Sequence, residues 1–320
     1  MNEALPGSAA TVAGIVTDRV LGRDELRALT GRSDLRGAVR LTIHMVLLAG
    51  AGWLVALSGP WTVVPAMLLL GLVQAALFAV VHETMHQTAF ASRRANAVVG
   101  WLAACPALTN AQFYACYHLA HHRHTQIPGQ DPELGAPDPG VNAPTDLRSY
   151  ALRLLSVPYW RLRARLIADA WRGDLSAYPY VNAHMAPRVI ASLRAMTVLM
   201  LAGAIGSALV FGWQAPFLFW IVPQLLGQPF LRAYLLTEHT GCTLDRNGLT
   251  NTRTTLTNAP VRLLMWDMPF HAEHHLYPSI PFHRLADAHR AIREKLGFVQ
   301  PGYVRWNVDF VRRLRTHGSG

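Results

Sequence analysis

The chain has 320 residues, of which 51% are hydrophobic and only 15% are charged. A soluble domain carries about 25% charged residues, so this composition argues against an ordinary soluble protein. The net charge of +10 would also suit nucleic-acid binding, but no basic soluble module with a recognisable motif accompanies it, and we expect no nucleic-acid partner. Cys105, Cys116 and Cys242 are too few and too scattered for a disulfide framework or an iron–sulfur site.

Four apolar segments are long enough to cross a bilayer, because a hydrocarbon core of about 30 Å requires about 20 helical residues and at least roughly 17. In chain order they are Leu41–Leu57, Trp61–Val81, Val189–Phe211 and Pro216–Leu236. A shorter apolar run, Ala97–Thr109, is expected to lie in the membrane interface or to re-enter the membrane. The sequence therefore predicts an all-α integral membrane protein with four transmembrane helices in two hairpins.

Basic residues lie on one side of these segments. The short links Ser58–Pro60 and Gly212–Ala215 contain no Lys or Arg, whereas six arginines precede the first span: Arg19, Arg23, Arg27, Arg32, Arg36 and Arg40. By the positive-inside rule both termini face the cytoplasm, where the positive charge meets anionic lipid headgroups. We expect a basic cytoplasmic lead-in over residues 1–40, membrane hairpins with an intervening cytoplasmic segment over 41–236, and a cytoplasmic domain over 237–320.

Nine of the 15 histidines follow apolar segments. They occur as HETMH after the second span, HLAHH after the short apolar run, one histidine after the fourth span, and HAEHH further on. Offsets of three and four residues place helical side chains on one face, and imidazole is the commonest metal-binding side chain. Nine imidazoles exceed one coordination sphere, so we predict a dinuclear metal site in a cytoplasmic helical cap. The predicted ligands are His82, His86, His118, His121, His122, His239, His271, His274 and His275.

The other six histidines are not expected to bind the metals. His124 is turned about 120° away from the ligand face of its helix. His44, inside the first span, is expected to be a hydrogen-bonded packing residue. Surface positions are predicted for the remaining four, which have no partner at helical spacing: His184, His283, His289 and His317.

Spacing alone does not identify the metal, because iron, copper, nickel and zinc all accept imidazole. A membrane zinc hydrolase would keep about three protein ligands and an open position. A metal transporter or sensor would place its ligands near the bilayer midplane. Nine histidines at the ends of spans disfavour both alternatives, and metal analysis separates them: two irons, one zinc, or exchangeable mixed metal.

The three histidine motifs and the separate His239, with their positions after spans, resemble the membrane fatty-acid desaturase and hydroxylase superfamily. EHTG at residues 238–241 resembles the alkane hydroxylase branch. NTRT at 251–254 and WDMPFHAEHHLYP at 266–278 are similar to bacterial desaturase-like proteins that include the rhizopine oxygenase. The resemblance extends over about residues 41–285 and is specific for the superfamily rather than for a substrate.

This resemblance implies two non-haem iron ions, O₂ as oxidant, and attack on an unactivated C–H bond to give an alkene or an alcohol. An acyl or lipid substrate in a bacterial cytoplasmic membrane is expected first. The alternative is hydroxylation or oxidative demethylation of a small polar, amine-bearing substrate, as the likeness to the rhizopine oxygenase suggests. The sequence has no GxGxxG fingerprint, cysteine cluster or CxxCH motif, so electrons are expected from a separate ferredoxin, rubredoxin or cytochrome with its reductase.

Four carboxylates adjoin the predicted ligands in sequence: Glu83, Glu238, Glu273 and Asp267. Carboxylates commonly accept the second ring N–H of a metal-bound histidine. We therefore expect each of them to support a histidine, most easily one from another group, because adjacent helical residues diverge by about 100°. The alternative is that they are solvated surface acids.

Gln224, Gln228 and Arg232 are spaced at four-residue intervals along the fourth span, on a stripe that leads towards His239. Polar side chains at membrane depth face a cavity or bind a neighbouring helix. These three residues are therefore expected either to line the substrate pocket or to join helices through hydrogen bonds.

Overall fold

The computed structural model describes residues 20–134 and 143–317, without the side chain of residue 317. The predicted positions of Arg19 and of the His317 side chain therefore lie outside the described residues. Five helices form the first part of the chain: α1 (Arg23–Leu29), α2 (Asp34–Ala56), α3 (Val63–Met85), α4 (Arg93–Ala104) and α5 (Ala111–His124). Four more follow: α6 (Leu147–Leu154), α7 (Val157–Arg172), α8 (Ala186–Phe211) and α9 (Val222–His239). The last part contains β1 (Thr254–Leu256), α10 (Ala259–Leu264), α11 (His271–Leu276), α12 (Phe282–Ile292), β2 (Val299–Pro301) and α13 (Tyr303–His317).

Side-chain caps fix where some of the helices begin. The Asn110 side chain accepts a hydrogen bond from the Phe113 backbone N–H at 3.0 Å and so caps α5, which carries HLAHH. Such a cap satisfies a donor that the first turn of a helix leaves unpaired. Because the cap fixes where α5 begins, it also sets which side chains face the interior. His118 and His121 are on that face, and both are buried.

In the part of the chain that the structure describes, three helices are long and apolar enough to cross a membrane: α2, α3 and α8. They correspond to the first three predicted spans. In α2 and α8 only 17% of the most apolar window is buried, and Trp61, Leu209 and Phe211 are strongly exposed. Exposed apolar surface of this extent is typical of helices that face lipid.

The fourth predicted span, Pro216–Leu236, is helical throughout but not uniformly α-helical. It begins as a π-helical turn at Phe217–Ile221 and continues as α9, which contains Pro229. A proline inside a helix removes a backbone hydrogen bond and bends the helix. Within the described residues, this segment is not among the helices long and apolar enough to cross a membrane, so a fourth span stays a prediction.

Two glycines allow α3 and α9 to pack closely. A Cβ atom built on Gly71 would lie 2.0 Å from the Pro223 carbonyl oxygen, and one built on Gly227 would lie 2.0 Å from the Gly71 carbonyl oxygen. No larger residue permits this approach, which is a common device where membrane helices meet. The contact brings the histidine-bearing ends of α3 and α9 into the same interior.

Two short strands correct the all-α prediction. β1 and β2 pair in parallel, with Thr254 opposite Val299. On its other side β1 contacts the segment before α11, because the Thr255 N–H donates to the Pro269 carbonyl oxygen at 3.0 Å. The strand pair therefore connects the carboxy-terminal part of the chain to the helix that carries HAEHH.

The glycine contact generates a prediction about stability. Gly71→Ala should lower the unfolding free energy by about 1–3 kcal/mol, the usual cost of overpacking, because the new methyl group overlaps the backbone of α9. Gly203→Ala is the matched control, since an added Cβ in α8 would meet nothing within 4 Å. Thermal unfolding in detergent measures the difference, and equal melting temperatures for the two variants would contradict the close contact.

Candidate metal centre

The nine predicted histidines meet in one region, where α3 and α9 end and α5 and α11 pack against them. Within the described residues, eight of them form two groups that could each hold a metal ion. The five-histidine group contains His82, His86, His118, His122 and His274, and the three-histidine group contains His121, His239 and His275. In each group the ligand atoms lie within 4.8 Å of one another. The ninth, His271, places its Nε2 3.3 Å from the Nε2 of His239 and so adjoins the three-histidine group.

The two groups are direct neighbours. His122 belongs to the five-histidine group and His275 to the three-histidine group, and their rings stack with centroids 4.1 Å apart and an interplanar angle of 6°. A single buried region thus contains both groups, which is the arrangement expected of a dinuclear centre rather than of two independent sites.

Contacts between ring nitrogens show that this cluster fits a metal. In the five-histidine group the Nε2 atoms of His86, His118, His122 and His274 form a closed ring of contacts of 3.1, 3.0, 3.2 and 3.1 Å. Each nitrogen of a neutral imidazole either donates one hydrogen or accepts one, so four nitrogens satisfy at most two of these four contacts. Nitrogens bound at about 2.0–2.1 Å to one ion lie roughly 3 Å apart. The observed spacing is that of ligands that share an ion.

The electrostatic environment favours the form of histidine that binds metals. Burial, reinforced by neighbouring imidazoles, lowers the pKa of six of these residues well below its usual value: His86, His118, His122, His271, His274 and His275. The neutral ring keeps the lone pair that a metal requires. In addition, Nε2 of His82 and Nε2 of His275 are buried and have no hydrogen-bond partner within residues 20–134 and 143–317.

Two neutral acceptors orient the three-histidine group from outside. His239 Nδ1 lies 3.1 Å from the Asn251 carbonyl oxygen. His275 Nδ1 lies 3.2 Å from the Thr125 hydroxyl, which donates its own hydrogen to the His121 carbonyl oxygen at 2.8 Å and therefore accepts from the ring. With Nδ1 protonated in this way, Nε2 of each ring keeps its lone pair for the metal.

Asp131 is a supporting carboxylate that the sequence analysis did not identify. Its Oδ1 accepts a hydrogen bond from His121 Nδ1 at 2.9 Å, and the carboxylate is held by the backbone N–H groups of Gln126 and Glu133 at 2.7 and 2.9 Å. Burial acts to lower the pKa of His121, but Glu133 and Asp131 outweigh it and raise that pKa overall. The sequence shows only that Asp131 is an acidic residue in the loop that follows HLAHH. No helical spacing relates a loop residue to a particular histidine, so its partner could not be predicted.

The four predicted supporting carboxylates are all buried, so none of them is a solvated surface acid. Glu238 lies near a histidine from another group, with its Oε2 3.6 Å from His271 Nε2. Glu83 instead lies near its own neighbour, with its Oε1 3.6 Å from His82 Nδ1. Both therefore adjoin predicted ligands, but at distances longer than a direct hydrogen bond.

The other two carboxylates have different partners from those expected. Asp267 accepts hydrogen bonds from Arg40 at 3.1 Å and Arg262 at 2.8 Å, and these two guanidinium groups take its oxygens in place of a ligand histidine. Glu273 contacts Nδ1 of His289 and the hydroxyl of Thr254. The expectation for both carboxylates is corrected, and so is the surface position predicted for His289, which is mostly buried against Glu273.

The remaining histidines follow the predictions more closely. His44 lies on α2 and packs against α3, where its Nε2 contacts the Val73 carbonyl oxygen at 3.0 Å. His184 is exposed, as expected. His124 lies outside both histidine groups. His283 is half-buried rather than at the surface, and burial lowers its pKa to about 4.

A cavity of about 140 Å³ opens onto the histidines. Its charged lining consists of Arg153, Arg163 and Arg232 with Glu133 and Glu238. Five ligand candidates form one of its walls: His82, His118, His121, His239 and His271. A molecule in this cavity would contact the histidine cluster directly.

Of the polar stripe on the fourth predicted span, the structure brings only Arg232 to this cavity. Gln228 donates from its side-chain nitrogen to the Gln224 side-chain oxygen at 3.3 Å, and both glutamines are buried in helix packing. The pocket prediction is therefore corrected for Gln224 and Gln228, because they bind each other within α9 and do not line the cavity.

The contact between Asp131 and His121 predicts how metal affinity depends on groups outside the cluster. Asp131→Ala should weaken metal binding roughly 10- to 100-fold, the usual effect of removing the partner of a ligand histidine. Asp267→Ala is the control, because that buried carboxylate binds arginines: it should lower thermal stability and leave metal affinity unchanged. Chelator competition measures both affinities, and an equal loss in the two variants would contradict the assignment.

Comparison with known proteins agrees with this geometry. The sequence profile of the fatty acid desaturase family matches residues 58–307. The chain is 26% identical to the dihydrorhizobitoxine desaturase of Bradyrhizobium elkanii over 294 residues, which cover 87% of this chain and 81% of that protein. It is also 22% identical to the chloroplastic omega-6 fatty acid desaturase of Arabidopsis thaliana, covering 92% of this chain and 65% of that longer protein. The chain therefore belongs to the fatty acid desaturase family.

Proposed function

We propose that this protein is a membrane-bound non-haem di-iron oxidoreductase that uses O₂ to desaturate or hydroxylate an unactivated C–H bond. The observation that supports it most is the pair of adjacent buried histidine groups. Imidazole ligands suit iron as well as zinc and copper, and membership of the desaturase family favours iron. When bound, the two irons would supply the activation of O₂.

The protein's own residues would hold and orient this centre. In our proposal the five-histidine group binds one iron, and the three-histidine group together with His271 binds the other. Asp131, Asn251 and Thr125 keep Nδ1 protonated on the rings they contact, so that Nε2 faces inward. Because these partners are buried, the rings are held in place before any substrate binds.

The reaction needs electrons that this chain does not carry. Desaturation combines O₂, two electrons and two protons with the two hydrogens lost by the substrate and gives two water molecules. Hydroxylation places one oxygen atom in the product and gives one water. We propose that a separate one-electron carrier with its reductase supplies the electrons, and that the histidine cluster and both termini face the cytoplasm of a bacterial membrane.

A small surface pocket offers the carrier a place to dock. It is lined by the ligand candidates His122 and His275 and by the exposed Arg123 and Arg246. The pocket thus approaches both histidine groups from outside, at the point where His122 and His275 stack. Its basic rim would attract an acidic carrier, since complementary charge raises association rates.

Iron content tests the proposed centre. The purified protein should contain two irons per chain, and His274→Ala or His121→Ala should lower the iron content and abolish O₂ uptake driven by a carrier and its reductase. His184→Ala is the control, because that histidine is exposed and outside the cluster. Full iron in His274→Ala, or a single zinc in the wild-type protein, would overturn the proposal.

Reduction kinetics test the docking site. An acidic ferredoxin should reduce the iron centre of Arg123→Glu or Arg246→Glu about tenfold more slowly than that of the wild type. The reason is that attraction between opposite charges raises the association rate by about tenfold or more, and each substitution reverses a charge at the docking site. Added salt should slow the wild-type reaction, since exposed charges are screened over about 8 Å at physiological ionic strength. Arg172→Glu, a charge change at a solvent-exposed position on α7, should react as the wild type does.

Reduction by dithionite controls for damage to the centre, because it needs no docking surface. Its rate should be the same in all these variants. A ferredoxin rate that is insensitive to salt and to both substitutions would place the carrier elsewhere.

A further inference from the structure

Three arginines from three different helices line the cavity beside the histidines. Arg153 lies in α6, Arg163 in α7 and Arg232 in α9. Glu133 and Glu238 line the same cavity, so the described side chains around it keep a net positive charge even when both carboxylates are ionised. Burying cations is costly, and a pocket for hydrocarbon alone would gain nothing from them.

Two of these arginines stack on one tyrosine, and their Nε atoms have no hydrogen-bond partner among the described residues. The guanidinium carbons of Arg163 and Arg232 lie 4.6 and 4.5 Å from the centroid of the Tyr159 ring. The ring is fixed in turn, because the Tyr159 hydroxyl donates to the Ala107 carbonyl oxygen at 2.5 Å. Among the residues that the structure describes, neither arginine pairs with a carboxylate, and Nε of each is buried without a hydrogen-bond acceptor.

Such a pair is suited to an oxyanion. Guanidinium groups present planar sets of N–H donors that match the oxygens of a carboxylate, and these charge-assisted hydrogen bonds are stronger than neutral ones. Stacking on Tyr159 orients both groups before the anion arrives. An incoming carboxylate would therefore supply the acceptors and the negative charge that this part of the cavity lacks.

The wall near the histidines has a complementary feature. Oε1 of Glu238 is buried without a hydrogen-bond partner, while Oε2 lies 3.6 Å from His271 Nε2. Glu238 can therefore accept a hydrogen bond from a hydroxyl or ammonium group of a bound molecule. Leu235 and Met268 provide apolar surface in the same cavity for the carbon atoms of that molecule.

The size of the cavity limits what it holds. Its volume is about 140 Å³, and a cavity of roughly 150 Å³ holds a molecule such as benzene. An extended long acyl chain does not fit into this space. Both the charge and the volume therefore point away from the acyl substrate that the family resemblance made the first expectation.

We propose that the substrate is a small organic anion, whose carboxylate binds Arg163 and Arg232 and whose oxidised carbon lies against the histidine wall. This inference rests on the proposed di-iron function and names the substrate class for that site. A hydroxyl or amino group on the same molecule would bind Glu238. The substrate then reaches the cavity as a polar solute and not as a membrane lipid.

Ligand binding to the wild-type protein tests the class directly. Calorimetric titration of the iron-loaded protein in lipid nanodiscs would compare unbranched carboxylates from propionate to palmitate with their methyl esters, using empty nanodiscs to correct for partition. Short carboxylates should bind, and their uncharged esters should bind about tenfold more weakly or worse. An affinity that rises steadily up to palmitate and is equal for the esters would overturn the proposal.

Arginine variants locate the anion. Arg163→Gln and Arg232→Gln should each weaken binding of the short carboxylates by roughly tenfold to a hundredfold, the range for losing a charge-assisted hydrogen bond. Arg163→Lys should recover part of the loss. The matched control is Arg165→Gln on the same helix, whose side chain is 65% exposed and which should bind as the wild type does. If Arg232→Gln does not fold, Arg163→Gln decides alone.

Measurements on the same samples separate the two proposals. A carboxylate that binds iron directly would bind equally well to both glutamine variants at full iron content, and that result would overturn the substrate class while leaving the di-iron proposal intact. A wild-type protein without iron would overturn the proposed function itself.

Discussion

Nine largely buried imidazole rings can share one interior only if something other than hydrogen bonding satisfies their inward-facing nitrogens. The Nε2 atoms of His86, His118, His122 and His274 contact one another at 3.0–3.2 Å, and half of these contacts have no hydrogen to share. The proposed metal ions would satisfy these nitrogens and link the four segments that carry them. The caps, the glycine contact of α3 with α9 and the strand pair all serve to bring those segments to one place.

The sequence predicted well those features that depend on spacing along one helix. Offsets of three and four residues picked out the nine histidines that the structure brings into one region, although each of its two groups combines histidines from different motifs. The long apolar runs indicated α2, α3 and α8. Partners across the fold were harder to predict. Asp131 supports His121 from a loop, and His289 contacts Glu273 from the following helix, and neither relation has a helical period. The position of Asp267, four residues before His271, predicts a histidine partner. In the structure its oxygens instead bind Arg40, which is distant in the sequence, and Arg262, which is five residues away.

The stripe on the fourth predicted span shows a second limit of sequence reasoning. Gln224, Gln228 and Arg232 share one helical face, but the cavity reaches only the last of them. A stripe specifies a direction around a helix axis and not a depth along it. The position of the cavity along α9 depends on where α6 and α7 place Arg153 and Arg163. No sequence pattern indicates that these two helices line the cavity.

The parallel pairing of β1 with β2 has a consequence for how the protein is made. The first ligand candidate, His82, leaves the ribosome long before the last, His275, and the strand that supports the HAEHH helix pairs with residues 299–301, which are made later still. When α3 and α5 have been synthesised, their histidines therefore still lack the partners that α9 and α11 supply. In the proposed centre, metal binding therefore follows the synthesis of nearly the whole chain, and other imidazole-binding metals can compete for the histidines that are made first.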